Sequence, residues 1–369
     1  MTALRVAITG SDGFVGRNLT LRLHEAGHET IGLTRTSEDA AWYEAAKQAD
    51  CFVHLAAANR PEDPKDFNRV NVGTTKSLIA ALEHASSKVP VIYTSSVRAE
   101  GNDDYGQSKR AAEKELFDYG KQSGADIHVF RLPNVFGKWA RPNYNSAVAT
   151  FCHNVARGLP IAVHDPAAPL RLVYIDDVVN AFIEVIEGRG PTGYLDVAPV
   201  YETTVGETAD TIRGFRSDRA ENFIDEVGNG LVRALYATYV AALPPIEFSY
   251  PLVSHRDPRG AFSEMLKTRT SGQFSYFTAL PGVTRGGHYH HTKTEKFLIV
   301  HGDARFGFRH MLSGETYEIF TSGEEPTVVE TVPGWTHDVT NIGETVMISL
   351  LWANEIFDRE RPDTIAAKV

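Results

Sequence analysis

The chain has 369 residues, 47 of them acidic against 37 basic, for a net charge of -10; one hydrophobic core stops growing near ~250–300 residues, so this length predicts two domains. The acidic balance speaks against nucleic acid or an anionic membrane as partner, because their phosphates repel it. Two cysteines, Cys51 and Cys152, cannot staple a secreted scaffold, and neither a leader peptide nor an apolar run of ~20 residues is visible, so a cytoplasmic location is expected.

Through residue 190 short apolar runs alternate with amphipathic stretches. The pattern predicts strands at 4–8, 30–34, 51–56, 91–95 and 127–132, and helices at 16–26 and 71–85. Leu19, Leu23 and Ala26 should share the buried face of the first helix, Leu78 and Leu82 that of the second. Alternating β and α predicts a parallel, doubly wound sheet. Pro244-Pro245 cannot continue a helix and marks a boundary. Beyond it, short runs at 274–279, 296–300, 304–308, 316–320, 327–331 and 346–352 are separated by glycine turns, which suggests an all-β sandwich or barrel. The expected domains are residues 1–243 and 246–369. Of the 14 histidines, seven crowd into the second, which suggests two chemistries in one chain.

The first strand opens into Thr9-Gly10-Ser11-Asp12-Gly13-Phe14-Val15-Gly16. Gly10 permits the tight turn, Gly13 lets the backbone approach a pyrophosphate, and Gly16 lets the helix pack close to the strand. The free amides of the helix start attract negative charge. A dinucleotide site lined by Gly10, Gly13, Phe14, Val15 and Gly16 is expected. The second strand ends in Thr34-Arg35, with no acid for a ribose 2′-hydroxyl. Arg35 suits a 2′-phosphate, so the expected cofactor is NADPH.

Tyr105 and Lys109 stand i,i+4 on one helical face. A free tyrosine has a pKa of ~10, and a neighbouring ammonium should lower it toward a working proton donor. Ser96 follows the fourth strand and suits a hydrogen bond to a substrate carbonyl.

In the second half, His288 and His290 stand i,i+2 and share one face of a strand. Glu295 returns on the next strand, and His337 follows Pro333-Gly334-Trp335-Thr336. Three imidazoles and one carboxylate suit Zn, Mn, Fe or Ni. Tyr289 and His291 alternate to the opposite face, where His291 is expected at the surface or an interface.

At the glycine loop, Ser96 and Tyr105-Gly106-Gln107-Ser108-Lys109 the sequence resembles the extended short-chain dehydrogenase/reductase family, which acts largely on nucleotide sugars. Leu55-Ala56-Ala57, Asn71-Val72-Gly73-Thr74, Arg131-Leu132-Pro133-Asn134-Val135-Phe136-Gly137 and Tyr174-Ile175-Asp176-Asp177-Val178 support it. The resemblance implies a Rossmann-like fold, a catalytic triad of Ser96, Tyr105 and Lys109, and cofactor contacts from Leu55, Ala56, Asn71, Lys109 and Pro133. Two departures stand out. Nine positions separate Ser96 from Tyr105, a short loop for that family. Val97-Arg98 stands where its sugar 4,6-dehydratases place Asp-Glu, so simple carbonyl reduction is preferred over dehydration.

Residues 246–369 resemble a cupin jelly roll with both of its motifs. This implies His288, His290, Glu295 and His337 as ligands of a divalent metal, Zn first among them. The two halves together, with the stretches 141–146, 248–252, 288–297 and 354–358, resemble the CapF-type bifunctional capsular-polysaccharide enzymes of the route to UDP-N-acetyl-L-fucosamine. That resemblance implies a UDP-linked 4-keto-6-deoxy-N-acetylhexosamine as substrate. Metal-assisted C3 epimerisation in the cupin would precede NADPH-dependent C4 reduction to UDP-2-acetamido-2,6-dideoxy-L-talose. A homodimer through the jelly roll is expected. The cupin base stays open among Tyr289, His291, Lys296, His310 and Asp338. Two other readings stay open as well: a reductase whose cupin is a metal-stapled dimerisation or sugar-binding module, and an iron-holding oxygenase fused to a reductase.

Overall fold

The computed structural model describes residues 2–61, 63, 65–224, 226–252, 255–257, 260–262, 266–268, 273–355 and 360–369. Ile356, Phe357 and Asp358, part of one stretch used above, lie outside the described residues. The chain falls into two compact units. The first is Met1–Phe136 with Tyr144–Ser146 and Pro169–Thr203; the second is Gly137–Asn143 and Ala147–Ala168 with Thr204–Val369. The helices Val205–Ala220 and Gly230–Ala241 therefore go with the second unit. Pro245 opens a one-turn 3-10 helix, Pro245–Glu247, inside it.

In the first unit, β1 (Arg5–Thr9), α1 (Phe14–Glu25), β2 (Glu29–Leu33), α2 (Asp39–Gln48), β3 (Cys51–His54), α3 (Lys65–His84), β4 (Val91–Ser96), α4 (Asp104–Ser123) and β5 (Ile127–Leu132) follow in order. Six parallel strands form one sheet, β2-β1-β3-β4-β5 and then Gly193–Leu195. The strand order reverses between β1 and β3. The loops leaving their C-terminal ends diverge there, which opens the crevice where doubly wound sheets bind ligands. One core below the sheet gathers Ala7, Leu33, Phe52, Leu78, Leu82, Tyr93 and Leu116. Leu19 and Leu23 are fully buried, each contributing about 1.5–3 kcal/mol by leaving water. Ala26 is not with them: α1 ends one residue earlier and Ala26 is an exposed C-cap. α3 begins six residues before the expected helix, because Lys65–Val70 offers only the single apolar pair Phe67 and Val70 among charged and polar residues.

In the second unit two five-stranded antiparallel sheets face each other. One runs Ser249–Pro251, Thr327–Thr331, Glu295–His301, Met347–Ala353, Gln273–Ala279; the other runs Thr316–Ser322, Asp303–His310, Trp335–Asn341, Thr284–Tyr289, Ile365–Ala366. Phe297 and Phe306 meet across the sandwich at 5.6 Å between ring centres. The apolar pattern does not mark Trp335–Asn341 as a strand, because His337 and Asn341 take two of its buried positions. The architecture is the expected one, a doubly wound parallel α/β sheet followed by an all-β jelly roll. Among the described residues no helix is long and apolar enough to cross a membrane.

Candidate functional site

Gly10 adopts a left-handed backbone, φ 69°, and a Cβ there would press on the Ala56 backbone at 3.1 Å. A Cβ on Gly16 would stand 2.3 Å from the Gly10 carbonyl oxygen. Both glycines are thus required by close backbone approach. Gly13 is the N-cap of α1, and Phe14, Val15 and Gly16 form the first turn, whose free amides face the end of the sheet. Leu55 and Ala56 flank the same crevice after β3: their amides both donate to Thr9 Oγ1 at 3.1 Å. Thr9 Oγ1 in turn bonds His54 Nδ1 at 2.7 Å, and His54 Nε2 bonds Thr75 Oγ1 at 3.0 Å. Burial pushes the His54 imidazole down to about 3, with Lys109 adding to the fall, so the ring is neutral. This histidine ties β1, β3 and α3 beneath the crevice, and nothing local in the sequence signals it.

Asn71 links the segment after β3 to α4. Its Oδ1 accepts from the Ala58 amide at 2.7 Å, and its Nδ2 donates to Ser108 Oγ at 2.8 Å. Arg35 stands exposed in the turn after β2, and Pro133 follows β5.

Ser96 ends β4 and accepts from the Arg98 amide at 3.2 Å. The short interval to Tyr105 folds as a one-turn 3-10 helix, Val97–Glu100, and Asp103 then caps α4 through the Gly106 amide at 3.0 Å. Tyr105 therefore sits in the first turn of α4, at its positive dipole end. Its ring lies under the Arg98 guanidinium, 5.2 Å from the ring centre, and Ser96 stands near the phenol. Burial pushes the phenol up, against the pull of Arg98 and Ser96. The expected lowering by Lys109 is not what the structure shows. A buried ammonium must be hydrogen-bonded, and Lys109 Nζ donates to the Thr94 carbonyl at 2.6 Å, 4.5 Å over the Tyr93 ring. Burial brings Lys109 down to about 7, with Glu113 opposing. The structure thus gathers Ser96, Tyr105 and Lys109 around the C-terminal end of β4, an interior strand of the sheet.

In the second unit one ligating atom from each of His288, His290, Glu295 and His337 lies within 4.8 Å of the others. Glu295 comes from one sheet, His288 and His337 from facing positions on the other. Glu295 Oε2 is 3.1 Å from His290 Nε2 and 3.5 Å from His337 Nε2. Bonds of about 2.1 Å in a tetrahedron put the donors about 3.4 Å apart, so the 3.1 and 3.5 Å pairs already fit one ion and any wider pair, up to 4.8 Å, has to close in. Neither ring nitrogen of buried His337 has a hydrogen bond. A buried imidazole with no hydrogen-bond partner, beside a buried carboxylate, fits a ligand of a divalent cation. Burial also depresses His288, to about 4, and His337, which keeps both rings in the neutral, ligating form.

The five base candidates separate by position. Lys296, next to Glu295 on the strand, faces away and is ion-paired with buried Glu330, which Arg219 also meets at 3.0 Å. Asp338 pairs with Arg305 at 3.1 Å. His310 lies against Trp335, 5.0 Å between ring centres. Tyr289 and His291 pack on each other at 5.5 Å. His291 is 4% exposed, so it is not the surface residue expected. The reason is Asp363, which sequence reasoning missed: it accepts from the backbone of residues 291–293 and folds that turn inward. Lys293, also missed, reaches Glu295 Oε1 at 2.7 Å.

Residues 6–194 match the model of the NAD dependent epimerase/dehydratase family, and residues 255–365 that of the polysaccharide biosynthesis C-terminal domain. The chain is 52% identical over 99% of its length to a UDP-2-acetamido-2,6-beta-L-arabino-hexul-4-ose reductase of Pseudomonas aeruginosa, itself covered to 99%. It is similar to the crystal structure of the capsular polysaccharide assembling protein CapF from Staphylococcus aureus. There the TM-score is 0.69 at 38% identity, covering 99% of this chain and 100% of the other. RMD from Pseudomonas aeruginosa, solved with NADPH, shares the fold over 58% of this chain and 83% of its own (TM-score 0.53, 21% identity).

Proposed function

The chain belongs to the NAD-dependent epimerase/dehydratase family and, along its full length, to the CapF-type capsular-polysaccharide proteins, and from that premise we propose that it performs two successive steps on a UDP-linked 4-keto-6-deoxy-N-acetylhexosamine. In the cupin part the C3 proton is removed and returned with inversion. In the reductase part the C4 ketone becomes an alcohol, giving UDP-2-acetamido-2,6-dideoxy-L-talose. The observation that carries this reading is that one chain holds both the Tyr105 hydroxyl near Ser96, in the unit that carries the glycine loop, and a separate, largely buried cluster of three histidines and one carboxylate.

NADPH would supply the hydride, with the glycine loop, Leu55, Ala56, Asn71 and Pro133 lining its site and Arg35 reaching its 2′-phosphate. Tyr105 gives its proton to the C4 oxygen, Ser96 orients that oxygen, and Lys109 braces β4 behind them through the Thr94 carbonyl. A divalent ion held by His288, His290, Glu295 and His337, Zn first among the candidates, would act as a Lewis acid on the ketone and make the adjacent C3 proton acidic. We take residues 1–243 and 246–369 as the two catalytic parts; the C3 proton is acidic only while C4 is a ketone, so epimerisation precedes reduction. Replacing Tyr105 by Phe is expected to cut NADPH consumption by about 10²–10⁴-fold while leaving C3 exchange in place. Unimpaired NADPH oxidation overturns the assignment of Tyr105.

A further inference from the structure

The C-terminal segment closes over the histidine strand. Ile365 and Ala366 pair with Tyr289 and His288 as an added edge strand, and the Ala367 amide donates to the Gly287 carbonyl. The Thr336 hydroxyl, next to His337 in sequence, donates to the Ala367 carbonyl at 2.6 Å. At the head of this segment stands Asp363. Its Oδ1 accepts from the His291 amide at 2.8 Å, and its Oδ2 accepts from the amides of Thr292 and Lys293, each at 2.7 Å, and from Thr292 Oγ1 at 3.0 Å. Its own main-chain carbonyl is bonded to His290 Nδ1.

A carbonyl only accepts, so Nδ1 of His290 carries the hydrogen. With Nδ1 committed to the carbonyl, Nε2 is the nitrogen turned toward Glu295 Oε2, 3.1 Å away. Such a bond on the far nitrogen is what fixes the tautomer and orientation of a ligating imidazole. The carboxylate of Asp363 does the rest. By collecting three consecutive amides just after His290 it locks the turn that carries the ligand, and it holds its own carbonyl in register with the ring.

We propose that Asp363 is a positioning residue for the metal centre: its side chain clamps the 291–293 turn and its carbonyl sets the His290 tautomer that presents Nε2 to a divalent cation. This rests on the metal reading above. It assigns a function to a residue more than 70 positions from the ligand it serves, on a segment that contributes no ligand itself.

The test is zinc affinity of the full-length protein, measured by competition with a chromophoric chelator, for the natural chain, Asp363→Ala and Asp363→Asn. The expected result is a loss of about 10–100-fold in Asp363→Ala and a smaller loss in Asp363→Asn, which keeps one acceptor oxygen. The visible spectrum of the cobalt-substituted protein should change in shape in both, a signature that lost packing alone does not produce. The melting temperature in EDTA serves as the control for packing. If Asp363→Ala does not fold, Asp363→Asn decides. Zinc affinities within twofold of the natural chain, with an unchanged cobalt spectrum, overturn the proposal. A natural chain that takes up no divalent ion overturns the metal reading itself, and this role with it.

Discussion

Gly106 lies so close beneath Arg98 that a Cβ at position 106 would stand 2.0 Å from the Arg98 carbonyl oxygen. This approach is how nine positions suffice between Ser96 and Tyr105. The 3-10 turn folds flat onto the helix start, Asp103 caps the Gly106 amide, and Tyr105 is delivered to Ser96. The contact is to backbone and cannot give way by a rotamer change. Gly106→Ala should therefore displace the start of α4 and with it Tyr105. A misplacement of ~1 Å costs about 10²-fold in a reaction that depends on alignment. Single-turnover reduction measured beside circular dichroism checks this: the rate should fall while the helical signal persists.

His54 makes an acid-sensitive joint in the first unit. Its folded value of about 3 lies below the ordinary ~6.5 of the unfolded chain. The unfolded state therefore binds more protons between those values, and stability is lost as pH falls through that window. The contribution is complete above about pH 6.5. From pH 7.5 to 4.5 the loss attributable to this residue is about 2–3 kcal/mol. Urea unfolding should show the gap between the natural chain and His54→Asn narrowing by that amount over the same interval. A gap independent of pH contradicts a neutral, buried His54.

Arg35 is the expected reader of the cofactor's 2′-phosphate. Hydrogen bonds to charged groups contribute about 1.5–3 kcal/mol, so Arg35→Ala should weaken NADPH binding by about 10–100-fold and leave NADH binding nearly unchanged. Cofactor titration by fluorescence measures both. Equal losses for the two cofactors would place the arginine outside the phosphate site.

The parts of the fold and site that are legible in the sequence are those set by local rules. The glycine loop, the Tyr105–Lys109 spacing and the His288-x-His290 pair are each fixed within a few residues, and their elements follow from apolar periodicity. What escapes is long-range or polar. Trp335–Asn341 is a strand whose inward positions carry a histidine and an asparagine, so it shows no apolar alternation. His291 reads as a surface residue until Asp363, 72 positions away, folds its turn inward. Lys109 reads as the partner of Tyr105, whereas burial makes it seek the Thr94 carbonyl. His54 has no motif at all, and the demand that position 106 be glycine comes from Arg98, whose carbonyl meets it only in three dimensions.

The most direct test of the two-step account is proton NMR of the UDP-linked 4-keto sugar with the enzyme in deuterated water, with and without NADPH. The account predicts deuterium entering C3 without NADPH, no such exchange with His337→Ala protein, and a reduced product that carries C3 deuterium once NADPH is added to the natural enzyme. A reduced product with its original C3 proton, or exchange at the natural rate in His337→Ala, would contradict it.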